Sequence, residues 1–179
     1  MNASIYCFPS PHIDIPLALR DLIDDLFIPG RPLLDATMAL TSRIYESFKY
    51  KGGVTDVRTP VESVLKSRQG VCQDFAHLQI ACLRYLGLPA RYVSGYLLTR
   101  PPPGKPRLVG ADESHAWLAV WSPTWGWVEF DPTNNLIPSR DHVVLGWGRD
   151  YSDVSPVNGF IIGGGEHKLA VSVDVMPLE

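Results

Sequence analysis

Cysteine is scarce in this sequence, and long apolar runs and an excess of basic charge are missing. Three cysteines, Cys7, Cys72 and Cys82, occur in 179 residues. An odd count this low is a poor disulfide framework. If Cys72 and Cys82 share a helix, they stand about 15 Å apart along its axis, too far to bridge. A reducing compartment, the cytoplasm, is therefore expected. No stretch reaches the roughly 18 apolar residues of a membrane-spanning helix. The first residues, MNASIYCFPSPHIDIP, lack the basic and then apolar order of a secretory signal. Lys and Arg total 16 against 19 Asp and Glu, for a net charge of -3 with no basic stripe. Neither a nucleic acid nor a membrane is an expected partner. CxxC and HExxH are absent, and a cysteine and histidine five apart on one helix (Cys72, His77) diverge, so no metal is expected. The glycines at 163–165 lack the lysine of a phosphate-binding loop and read as a turn, so no cofactor is expected either.

What is present is ordinary globular composition, 45% hydrophobic and 20% charged, enough for one domain over 1–179. The first segment reads as a strand, with Ile5, Tyr6 and Phe8 as strand formers and Pro9, Pro11 and Pro16 against a helix. Helices are expected over 17–27 and 32–50 by apolar spacing. A third begins near TPVE, with Thr59 as cap, Pro60 at the first position and Glu62 closing a capping box. A fourth spans 71–86, its apolar face carrying Cys72, Phe75, Ala76, Gln79, Leu83 and Leu86, with Gln73, His77 and Arg84 turned away. The period then changes from 3.6 to 2. Strands are expected over 90–98, 114–121 and 127–131, with SPTWG as the hairpin turn, and again over 159–162 and 169–175. Residues 101–110, rich in proline and glycine, read as a loop. Helices first and an antiparallel sheet afterwards make an α+β layout.

Cys72 opens the fourth helix in GVCQDFAHLQIACL. At a helix N-terminus, partial positive charge favours a thiolate and free N–H groups can hold an oxyanion. From this helix alone, a small buried thiol on an apolar face, the reading given to Cys82, is the better reading. The hairpin ESHAWLAVWSPTWGWVEFDPTNN adds to the first reading. A loop over 122–124 sets Trp121 opposite Trp125 and so His115 opposite Asp131, at a Cβ separation of about 5 Å. A carboxylate there orients an imidazole and steadies its charge. A thiol at a helix start plus a His–Asp pair fits nucleophilic catalysis. Trp117, two residues from His115, either walls an acyl pocket and touches substrate or fills the core beneath the pair. Asp74 is expected to pair with Arg91 for structure, not catalysis.

The segments GVCQDFAHLQIACLRYLGLPARYVSGYL, SHAWLAVW, GWVEFDPTNN and GRDYSDVSP, in that order over roughly residues 30 to 160, resemble the bacterial branch of the transglutaminase-like superfamily. The resemblance implies a papain-like transglutaminase core, α+β, with N-terminal helices packed on an antiparallel β-sheet. It implies Cys72 as nucleophile, His115 as base and acid, and Asp131 as orienter. It also implies attack on a peptide or protein amide through a thioester, resolved by water as in a cysteine protease, or by an amine as in a transglutaminase. Some members of the superfamily are silent. The backbone N–H of Cys72 is the natural first oxyanion donor, and Tyr50 or Gln69 is the second. Relatives often carry a β-rich domain upstream; here residues 1–30 supply only a strand and a helix, so either such a domain precedes Met1 in the natural protein or this is a minimal member. Nothing resembles the calcium loops of animal transglutaminases, and no calcium site is carried over.

Overall fold

The structure is a computed structural model that describes residues 3–99, 113–155, 163 and 172–176. The long helix α2 (Leu33–Ser47) follows the short α1 (Arg20–Ile23) and precedes α3 (Val61–Ser67) and α4 (Cys72–Tyr85). A four-stranded antiparallel sheet, in order β5-β4-β3-β6, is built from β3 (Ala90–Leu97), β4 (Glu113–Ser122), β5 (Gly126–Phe130) and β6 (His142–Gly148). Two two-residue strands, β1 (Lys49–Tyr50) and β2 (Gln69–Gly70), pair in parallel just before α4. This is the mixed helical and antiparallel-sheet layout that the change of period predicts.

The alternation of β4 explains the packing. Ala116, Leu118 and Val120 point into the main core with Phe75, Leu78 and Cys82 of α4. Trp117 and Ala119 point the other way, into a smaller cluster with Val93 and Trp127. The helix itself is not two-faced. Every residue from Asp74 to Arg84 is buried, including His77 and Arg84, which the spacing turns outward. The reason is cover from the N-terminal segment. Arg84 donates to the Phe8 carbonyl at 3.0 Å, to Ser10 Oγ at 3.1 Å and to the Ala90 carbonyl at 2.9 Å. His77 stacks on His12 and accepts from the Tyr151 N–H at 3.3 Å.

Several local expectations change. The first residues form a 3-10 turn, Ala3–Cys7, rather than a strand. Residues 17–27 hold a 3-10 turn and one α-turn before the chain breaks. Helix α2 stops at Ser47, because Phe48 turns to extended backbone and leads into β1. Pro60 occupies the cap of α3, while Thr59 Oγ1 accepts from the Asp56 N–H at 2.9 Å. Glu62 pairs with Lys66 one turn on. Strand β6 was not foreseen. The expected strand 159–162 and the loop 101–110 lie outside the described residues; of 169–175 only 172–175 are described, with no named strand.

Candidate active site

The chain enters α4 through a tight turn. A Cβ on Gly70 would meet the Asp74 side chain at 2.8 Å, so only glycine lets the turn close. Asp74 Oδ2 then accepts the Val71 N–H at 2.8 Å and Thr55 Oγ1 at 2.6 Å. Burial pushes the Asp74 carboxyl above its ordinary value, against those two hydrogen bonds. This cap corrects the expected Asp74–Arg91 pair. Asp74 is turned to its own helix end, where a carboxylate satisfies free N–H groups. Arg91 lies instead between the rings of Trp127 and Trp147, 4.4 Å from each centroid. Asp74 thereby fixes the turn on which Cys72, the first residue of α4 and partly exposed, stands.

His115 meets this thiol from β4. Its Nε2 lies 2.8 Å from Asp131 Oδ2. On its other side stands Cys72, which together with Asp131 favours the charged imidazole. The hairpin register behind this contact is two residues off the expected count. Ser122 opposes Gly126 and Leu118 opposes Phe130, because the loop is 123–125, with Gly126 at φ +73° leading out of it. That register sets Asp131 across from Trp117. A slip of two preserves side-chain parity, so His115 still reaches Asp131 on the diagonal. Asp131 stands just past β5, in a bridge with Leu136.

The site is dry at its base. Asp131 is fully buried and His115 is 8% exposed. Asp131 Oδ1 accepts the N–H groups of Thr133 (2.9 Å) and Asn134 (3.2 Å). Asp131 Oδ2 accepts Asn134 Nδ2 at 2.7 Å in addition to His115. Burial opposes the carboxylate charge, but the bonds from His115, His142 and Asn134 outweigh it and hold Asp131 well below the usual carboxylate range. Burial likewise disfavours a charged His115; the bonds to Asp131 and Cys72 prevail and raise the imidazole to about 9. A protonated imidazole beside the thiol at neutral pH is the state from which a thiolate attacks. Cys82 keeps the bland role: burial pushes its thiol up to about 12.

The remaining expected residues divide. Trp117 is fully buried, so the substrate-contact expectation for it is corrected. It stacks under His115 at 5.8 Å, and its Nε1–H is held by Glu129 at 2.8 Å. Tyr50 is half exposed, set opposite Gly70 in the β1–β2 pair and edge-on to Phe75 of α4. Gln69 lies in the same pair, opposite Lys49.

Two residues escaped the sequence reading. Asn134 lies within the FDPTNN motif but reads there as a turn residue. His142 opens β6, and its Nε2 lies 3.0 Å from the same Asp131 oxygen. The β-formers of HVVLGW were the available signal for that strand. The ligand atoms of His115, Asp131 and His142 lie within 4.8 Å of one another, close enough for a cation. The two imidazole–carboxylate hydrogen bonds account for this spacing without an ion.

The sequence pattern of the Transglutaminase-like superfamily matches residues 21–132. An uncharacterized protein of Mycobacterium tuberculosis (strain H37Rv) is 48% identical over 171 residues, covering 93% of this chain and 54% of that protein. The chain thus spans about half the length of the curated relatives it matches most fully. A protein-glutamine gamma-glutamyltransferase of Pseudomonas aeruginosa is 30% identical over 110 residues, 57% of this chain and 16% of that one. Among solved structures, a proposed cysteine protease from Cytophaga hutchinsonii superposes with a TM-score of 0.69 at 32% identity, covering 84% of this chain and 48% of that one. The periplasmic domain of TgpA from Pseudomonas aeruginosa gives 0.54 at 29% identity, over 74% and 47%.

Proposed function

This chain belongs to the transglutaminase-like superfamily, and from that premise we propose that it is a thiol-dependent acyl-transfer enzyme acting on peptide or protein amides. The observation that carries the reading is the 2.8 Å contact from His115 Nε2 to the buried Asp131 carboxylate, with Cys72 at the start of α4 beside the same imidazole. The Cys72 thiolate attacks the amide carbon, and the oxyanion is held at the N-terminus of α4 by the Cys72 N–H. Tyr50 or Gln69 adds the second donor. The C–N bond breaks as protonated His115 gives its proton to the leaving amine, and the acyl group stays on sulfur as a thioester. Neutral His115 then takes a proton from water, which attacks the thioester and frees the acid and the thiol. Asp131 holds the His115 tautomer and the charge that develops on it.

Hydrolysis is the preferred outcome, in keeping with the proposed cysteine protease from Cytophaga hutchinsonii, the better structural match. Amine transfer, in which a primary amine replaces water at the thioester, is favoured instead by the similarity to a protein-glutamine gamma-glutamyltransferase. A reducing compartment is proposed, since all three cysteines are free. Among the described residues no helix is long and apolar enough to cross a membrane.

Peptide and glutamine-containing protein substrates, offered with a labelled primary amine, test both readings at once. Acid release that exceeds label incorporation, and that vanishes in Cys72→Ala, is expected. Incorporation outrunning acid release selects transfer. No Cys72-dependent turnover and no acyl probe bound at Cys72 would leave a silent module of the same fold.

A further inference from the structure

Asp131 is surrounded by more donors than a thiol–imidazole–carboxylate series requires. Its Oδ2 receives His115 Nε2 at 2.8 Å, Asn134 Nδ2 at 2.7 Å and His142 Nε2 at 3.0 Å. An ionised carboxylate only accepts, so His142 carries its proton on Nε2. Its Nδ1 is buried with no hydrogen-bond partner among the described residues, and its side chain is 3% exposed. The His142 and His115 rings, with centroids 5.8 Å apart, thus both address the one carboxylate oxygen.

The fold goes to some length to bring this ring in. β6 lies two strands from β4, on the far side of β3. Gly95 pairs with His115 in β3–β4 and stands where the β3–β6 register shifts, two residues before Leu97, the partner of His142. A Cβ on Gly95 would meet Trp117 Cη2 at 2.6 Å and overlap the Val143 carbonyl. In that space His142 stands edge-on to Trp117, centroids 5.1 Å apart, while Trp117 stacks under His115.

We infer that His142 is a positioning residue for the acyl-transfer reaction, sharing one Asp131 oxygen with His115 and so moderating the grip of the carboxylate on the imidazolium. The inference rests on the function proposed above. A dry carboxylate facing His115 with fewer competitors would hold the imidazolium more tightly and hinder return of its proton to a leaving amine. Among the described residues, the ionisable groups around the ring are His115 from β4 and Asp131 from the turn after β5. Cys72 of α4 is reached through His115, and Glu129 of β5 through Trp117.

Iodoacetate is the probe, because an anionic reagent is drawn by the imidazolium and loses that attraction when His115 deprotonates. Alkylation of Cys72 is followed by peptide mass from mildly acidic to strongly alkaline pH. In the unsubstituted protein its rate falls as pH rises through about 9. His142→Phe keeps the ring volume and removes the donor; its alkaline limb moves up by about one pH unit. His142→Gln retains an Nε2 donor and stays near the wild-type profile. A folded His142→Phe protein with the wild-type limb would overturn the inference. If that variant does not fold, long-range 1H–15N spectra of the unsubstituted protein decide: an Nε2–H His142 beside a doubly protonated His115 supports it, and any other state of His142 overturns it. An iodoacetate profile unchanged in His115→Ala would overturn the underlying triad, which is a separate result.

Discussion

Asp131 is the residue on which the site turns. It is fully buried, and each of its oxygens accepts several N–H groups. Asp131→Asn keeps the shape and removes the charge. Turnover is expected to fall by up to about 10⁴-fold, because an amide can hold the wrong imidazole tautomer. The alkaline limb of iodoacetate labelling at Cys72 should also move below pH 9, since the carboxylate is part of what raises His115. A variant with the wild-type limb would remove Asp131 from the proposed mechanism. Residue by residue, the sequence carried the parts whose chemistry is local. Cys72 stands after a glycine at a helix start, and the parity of His115 and Asp131 survives a two-residue slip in register. Arg91 was not legible, because its two tryptophan partners come from β5 and β6, and the sequence has no local sign of a sandwich between strands.

At the scale of elements, the strand without a prediction, β6, brings an unforeseen member of the site. Its approach depends on Gly95, at an ordinary backbone angle but with no room for a side chain. Gly95→Ala is expected to cost about 1–3 kcal/mol in urea unfolding, as overpacking does. It should also separate the His142 and Trp117 rings, with a change in tryptophan fluorescence; unaltered stability would contradict the close approach. The helices show where periodicity stops being informative. A 3.6-residue pattern reports which side of α4 is apolar, not whether the polar side is also covered. His77 and Arg84 are buried because the N-terminal segment and the Tyr151 turn lie over them, and both contacts span some 70 residues or more.

For the molecule as a whole, two histidines with opposite shifts bracket the pH of greatest stability. His115 is raised to about 9 from 6.5 in the fold. Its contribution is complete below about pH 6.5 and is lost as pH rises through about 9. His77 is lowered to about 3, chiefly by burial. The unfolded chain then binds the extra proton, so stability falls as pH drops from about 6.5 towards 3. Asp150, held at about 2 by bonds to Ser10, Ser152 and the His12 backbone that outweigh its burial, adds a loss at still lower pH. Urea midpoints across this range should therefore peak near pH 6 to 7. His77→Phe should flatten the acid side, and an unchanged acid side would refute the role of this ring. Such a balance depends on contacts between distant segments, which is why composition and net charge gave no sign of it.

The thiol rides on a helix and the imidazole on a sheet, so their separation is set by how two packed bodies sit against each other. Leu78 of α4 and Leu118 of β4 lie in the same fully buried cluster between them. Trimming either to alanine would let the bodies slide by fractions of an ångström. The proposed reaction would then act as a gauge of core packing, with turnover dropping in variants that keep Cys72, His115 and Asp131.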